Sequence, residues 1–86
     1  MIVKFHKNFK KIYYKAPPRL QEAVNEKMAL FYQNSFHPLL NNHQLKGKYK
    51  DHRSVNITGD WRALYKEIDR DYFKFLLLDT HSNLYK

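Results

Sequence analysis

The chain has 86 residues, with 16 Lys plus Arg against 8 Asp plus Glu, and so a formal charge of +8 with its 5 His neutral. A chain of this length buries roughly 60–65% of its unfolded surface, enough for one core but not for two domains or a large internal substrate cavity. The working site is therefore expected at the surface of a single domain spanning residues 1–86, and so basic a surface points to a polyanionic partner.

Residues Ile2 to Lys4 read as a short first strand. Phe5, Phe9, Ile12 and Tyr13 then recur at the spacing of an amphipathic helix, with Lys7, Lys10 and Lys11 off the stripe. Pro17 and Pro18 close this helix and open another, because Pro suits a first helical turn and pushes Ala16 before it out of helical angles. Leu20, Val24, Met28 and Phe31 form the second apolar stripe. So short a connection folds the two helices back as a hairpin whose apolar faces need a sheet to cover them.

From Ser35 to Lys50 the periodicity fails, and Pro38, Asn41, Asn42 and Gly47 mark an exposed loop carrying His43, Lys46, Lys48 and Lys50. Arg53 to Ile57, Trp61 to Ile68 and Tyr72 to Leu78 are rich in β-branched, aromatic and aliphatic residues and are separated by the turn signals Thr58-Gly59-Asp60 and Asp69-Arg70-Asp71. They read as a three-stranded antiparallel meander. The expected class is α+β, an N-terminal helix hairpin on a twisted antiparallel sheet of three or four strands.

Several chemistries drop out. With no cysteine there is no disulfide, thiolate zinc site or cysteine nucleophile, which fits the cytoplasm. No segment has the apolar core of a signal peptide or the ~18 apolar residues of a spanning helix, so no membrane role is expected. The histidines show no metal-binding spacing, and two glycines cannot build a phosphate-cradling loop, so neither metal nor small-molecule cofactor is expected. What remains is an acid, base and cation set: His43 before the meander, Asp60 and Arg62 at its first turn, and His81 just after its last strand. The start of the second strand and the end of the third share one sheet edge, so Asp60 and His81 are expected to be neighbours. Metal-free cleavage of RNA needs a base for the 2′-hydroxyl, cations for the phosphorus-centred charge and an acid for the leaving 5′-oxygen.

His43-Gln-Leu-Lys-Gly47, then Arg53 to Tyr65 with its Asp60-Trp61-Arg62, then Asp79-Thr-His-Ser-Asn-Leu-Tyr85 resemble the RelE/ParE toxin superfamily, most closely its YafQ-like branch. The motifs span about residues 40 to 85, and the element order matches over the whole chain. The resemblance implies a bacterial type II toxin that cuts messenger RNA in the ribosomal A site and is silenced by a cognate antitoxin. It places His43, Asp60 and His81 on catalytic positions of that branch and Arg62 on a phosphate-binding arginine of RelE. Trp61 follows the Asp as in that branch, and Tyr85 takes the place of a terminal aromatic. Two positions depart: Asn56 stands where the branch usually has a second histidine, and Leu77 where it has an arginine on the last strand. A weakened enzyme is expected, with Arg53 and Arg62 supplying the cation.

Each residue also has a plainer reading. His43 suits a solvated loop and Asp60 a hairpin turn. Arg62 faces away from Trp61 and Tyr65, to hold a phosphate or to form a surface ion pair. Lys46, Lys50 and Arg53 lie near the proposed site and suit phosphate binding, while Tyr85 either caps the core or stacks on a base. Lys7, Lys10, Lys11 and Lys15 form a solvated helix face and together suggest contacts with ribosomal RNA. The rival functions on this scaffold are a ParE-like inhibitor of DNA gyrase and a catalytically silent RNA-binding relative.

Overall fold

A computed structural model describes residues 1–85. The first strand, β1 (Ile2–Phe5), leads into helix α1 (Lys7–Lys15) and then α2 (Pro18–Gln33). His6 caps α1 by accepting from the amide of Asn8 at 3.0 Å, so Phe5, read from sequence as part of the helical stripe, belongs to the strand. Ala16 is extended, with φ −71° and ψ 148°, and Pro18 opens α2, as the two prolines require. The helices are tied where they fold back: Tyr13 donates its hydroxyl to Asn25 Oδ1 at 2.8 Å, and Gln21 Nε2 donates to the Tyr13 carbonyl at 2.9 Å.

The long segment after α2 is more ordered than its broken periodicity suggests. Two 3₁₀ turns, Pro38–Leu40 and Gly47–Tyr49, flank a two-residue strand β2 (His43–Gln44). Strands β3 (Arg53–Asn56), β4 (Trp61–Asp69) and β5 (Tyr72–Thr80) form the expected meander, and a one-turn helix α3 (His81–Leu84) follows. The turn between β4 and β5 puts Asp71 at φ 57°.

The fold class is α+β, with two main helices on a sheet of five strands in the order β1-β5-β4-β3-β2. The sheet thus has one strand more than the expected three or four. One edge gains β2, too short to show a period. The other carries β1, which runs parallel to β5, so the sheet is mixed rather than wholly antiparallel. Alternation along a four-residue strand marks its faces but not its partner.

The sheet has an apolar cluster on each face. On the helix side Phe9, Leu20, Val24, Met28 and Phe31 meet Val55, Ala63, Tyr65, Phe75 and Leu78. Phe31 stands edge-on to Tyr65, Phe73 and Phe75 with ring centroids 5.1–5.6 Å apart, the geometry that aromatic quadrupoles favour. The other face carries a small cluster of Leu45, Leu64 and Leu84, with Tyr49 and Leu77 packed against it. The pairing of β4 with β5 shifts between Leu64 and Tyr65, where Leu77 and then Phe75 are the partners. That bulge lets Leu77 serve the second cluster while Phe75 and Leu78 serve the first.

Candidate functional site

The face away from the helices carries the candidate residues. Along β4, Ala63 and Tyr65 enter the helix-side core, so Arg62 and Leu64 stand on the opposite face. The register continues this split: Asn56, Arg62 and Asp79 form one cross-strand row, and His43, Ser54, Leu64 and Leu77 form the next.

Asp60 and His81 are neighbours, as the meander predicts, joined by a 2.7 Å hydrogen bond from the His81 amide to the Asp60 carbonyl. The turn before them is fixed by Thr58, whose Oγ1 accepts from the amides of Asp60 and Trp61 at 3.2 and 3.0 Å. Thr80 caps α3 by accepting from the Asn83 amide at 3.2 Å, which orients the helix that begins with His81. Asp79 Oδ1 accepts from Asn83 Nδ2 at 3.0 Å and from the Thr80 amide at 2.7 Å.

Arg62 is anchored without being neutralised. Its Nη1 donates to the carbonyls of Thr58, Trp61 and Gly59 at 2.9, 3.0 and 3.2 Å. Asp79 lies opposite it in the register, its Oδ1 engaged by the Thr80 amide and by Asn83, and forms no ion pair with it among the described residues. Among the described residues the ion pair present is remote, between the N-terminal amine and Asp71 at 2.9 Å. The rest of the guanidinium fork is therefore open for an anion.

His43, on exposed β2, sits two strands from Arg62, about 10 Å laterally. Its Nδ1 lies 2.7 Å from the Asn41 carbonyl. A carbonyl only accepts, so Nδ1 carries the proton and, in the neutral ring, Nε2 presents a lone pair outward. His43 touches none of the other candidates directly; Leu45 and Leu84, in one cluster, draw its loop and α3 toward each other. The His81 ring rests on Tyr85, centroids 4.7 Å apart, while Tyr85 is 46% exposed. The anchor at this end is the buried Leu84, so Tyr85 does not cap the core. Trp61 is half-buried against the helix-side core and lines a groove of about 330 Å³ with Asn8, Lys11, Ile12, Leu77, Leu78 and Asp79.

Arg53 stands apart from the set. It pairs with Tyr65 on the helix side, donates from Nε to Asn42 Oδ1 at 2.9 Å and lies over the Phe36 ring at 5.2 Å. Asn42 in turn donates to the Tyr65 hydroxyl at 2.7 Å. Arg53 thus braces the loop, and the strand parity that would have shown this depends on a register invisible in sequence. Lys46 and Lys50 are exposed on the loop, whose return is braced by Gln44 Nε2 donating to the carbonyls of Lys50 and His52.

The structure also exposes a feature that residue spacing alone does not single out. His52 Nδ1, Ser54 Oγ and Asn56 Oδ1, at alternate positions and so on one face, are buried with no hydrogen-bond partner among the described residues. Burial, and secondarily the Lys66 charge, push the His52 imidazole below its ordinary value of 6.5, against the opposing pull of Asp51 and the Tyr49 carbonyl. The unfolded chain therefore binds a proton that the folded chain resists, and stability falls as pH drops below about 6.5. Thermal melts between pH 7.5 and 5 are expected to show this loss, and His52→Gln is expected to flatten it.

The site therefore brings an exposed-face arginine without an ion-pair partner among the described residues next to an Asp and a His joined through their backbones. A model of the family described as a bacterial toxin of type II toxin-antitoxin systems, YafQ, matches residues 1–86, and the chain belongs to that family. A search of curated proteins gives no match. Among solved structures, YafQ from Escherichia coli strain BL21(DE3) superposes with TM-score 0.78 at 22% identity, covering 98% of this chain and 97% of that one. The E. coli DinJ–YafQ toxin–antitoxin complex matches with TM-score 0.75 at 23% identity, covering 98% and 96%. The RelBE2 toxin–antitoxin complex from Mycobacterium tuberculosis matches with TM-score 0.68 at 25% identity, covering 93% and 96%.

Proposed function

We propose that this type II toxin is a ribosome-dependent endoribonuclease that cleaves messenger RNA in the ribosomal A site. The observation that supports it most is Arg62, fixed by turn carbonyls through one nitrogen and free of carboxylates, beside the hydrogen-bonded pair Asp60 and His81. In this reading the open guanidinium holds the scissile phosphate and stabilises charge growing on it. His43 Nε2 takes the 2′-hydroxyl proton, and the 2′-oxygen attacks phosphorus as the bond to the 5′-oxygen breaks. His81 gives that oxygen its proton. Asp60 orients His81, Lys46 and Lys50 contact flanking phosphates, and Tyr85 and Trp61 offer rings to bases. A gap of two strands between His43 and Arg62 is bridged by substrate rather than by a side-chain contact.

The relatives crystallised with antitoxins support a cognate antitoxin as the partner here, and an acidic segment would complement a +8 domain. No helix among the described residues is long and apolar enough to cross a membrane. The cytoplasm, where messages are translated, is the proposed place of action.

Leu77 favours a second reading. It packs into the leucine cluster where the resemblance calls for an arginine, which suits a ParE-like gyrase inhibitor that cuts nothing. Expression in a bacterial host with mapped 5′ ends decides between them. The nuclease yields new ends inside codons of translated messages, and none on the same message lacking its start codon. Arrest without new ends, together with lost supercoiling by gyrase, would replace the proposal with the second reading.

A further inference from the structure

Three lysines occupy one row of the sheet. The register sets Lys4 of β1 opposite Lys74 of β5, and Lys74 opposite Lys66 of β4. Each alternates with core side chains: Val3 and Phe5 flank Lys4, Phe73 and Phe75 flank Lys74, and Tyr65 precedes Lys66, all of these packing on the helix side. The lysines therefore stand on the opposite face, the one that carries Arg62. Lys66 lies four residues along β4 from Arg62, about 13 Å away, with the leucine cluster between them.

Such a row works against folding. Directly opposed residues on neighbouring strands have Cβ atoms about 5 Å apart, and like charges so placed are destabilising. No carboxylate forms an ion pair with any of the three among the described residues. Glu67 sits opposite Phe73 on the helix-side parity, and Asp69 Oδ1 accepts from the Arg70 amide at 2.7 Å. The field of the row reaches His52, the residue just before β3: after burial, the Lys66 charge is the next cause that pushes its imidazole below the ordinary value. A polyanion laid across the row would relieve this repulsion.

We infer that Lys4, Lys66 and Lys74 form a second RNA-binding track for the phosphodiester backbone, extending from the Arg62 site along the open face of the sheet. The inference deepens the nuclease reading but needs only RNA binding, not cleavage. A strand held at Arg62 passes over Leu64 and Leu77 and meets the ammonium row beyond them.

The test compares wild type with the triple variant Lys4→Gln, Lys66→Gln, Lys74→Gln, and with a control of equal charge loss away from the row and the site, Arg19→Gln, Lys27→Gln, Arg70→Gln. The probes are a 2′-O-methyl RNA oligonucleotide, which cannot be cleaved, and vacant small ribosomal subunits. Three phosphate contacts contribute about 2 to the slope of log affinity against log salt on a single strand. Wild type is thus expected to lose about 20-fold more affinity than the row variant between 50 and 200 mM salt. That control is expected to keep the wild-type slope. A reduced slope on the oligonucleotide assigns the track to a messenger-like strand, and one on the subunits alone assigns it to ribosomal RNA. Wild-type slopes on both probes, or a change matched by the control, would overturn the inference. So would a defect confined to binding an acidic antitoxin. The row variant is expected to melt at or above the wild-type temperature, and if it folds poorly Lys74→Gln alone, worth about 0.7 in slope, gives the same decision. Failure of the nuclease reading would appear as missing 5′ ends and would leave these slopes untouched.

Discussion

His81→Ala is expected to abolish growth arrest and to lower the cleavage rate about 10²–10⁴-fold, the usual contribution of a positioned general acid. The fold is expected to survive. His81 is exposed, its link to Asp60 runs through its own backbone amide, and α3 is capped by Thr80, so the substitution removes the imidazole and its contact with Tyr85 alone. Exposed substitutions of this kind shift stability by about 0.5 kcal/mol or less. The check is the yield of new 5′ ends together with the melting temperature. The pH–rate profile adds a readout that misfolding would not mimic, because loss of the imidazole removes the alkaline limb that an acid catalyst imposes. Unchanged arrest in a well-expressed variant would take His81 out of the mechanism and leave Asp60 and Arg62 without an acid.

Much of this site is legible in the residues themselves, because it is built from short-range facts. Pro17-Pro18 fixes the helix break, the Thr58-Gly59-Asp60 turn fixes the start of β4, and meander topology alone brings Asp60 to His81. What the sequence hides depends on register. Arg53 and Arg62 look equivalent as nearby cations, yet one braces Asn42 and Phe36 on the helix side while the other faces out. The fifth strand and the parallel pairing of β1 are hidden likewise, since Ile2–Phe5 shows which residues face the core but not which strand it joins. The lysine row shares that cause: each lysine alternates with apolar neighbours, but only pairing aligns them. Leu77 is the reverse case. Its departure from the arginine that the resemblance implies is read from sequence, and the structure shows where the side chain goes, against a second apolar cluster.

That cluster carries the other large expected effect. Leu64 is its most buried member, and the cluster joins it to the chain on both sides of the site: Leu45, two residues after His43, and Leu84, three after His81. Leu64→Ala is expected to cost about 2–5 kcal/mol, from lost transfer energy and the cavity left behind. In a small domain worth about 5–15 kcal/mol this is a large fraction of the total. Phe31→Ala, in the helix-side core, is expected to cost a similar or larger amount, about 3–5 kcal/mol. The two variants differ in what they loosen. Phe31 holds α2 to the sheet, whereas Leu64 holds the His43 loop and α3 down on the open face, so its removal frees the two histidine-bearing segments from each other. Denaturant melts rank the stability losses, and cleavage is then compared at a temperature where both variants remain folded. Leu64→Ala is expected to be nearly inactive there and Phe31→Ala close to wild type. Equal activity in the two would mean that the second cluster adds stability without shaping the site. A selective loss would show that the leucines on this face shape the site by holding His43 and His81 in place.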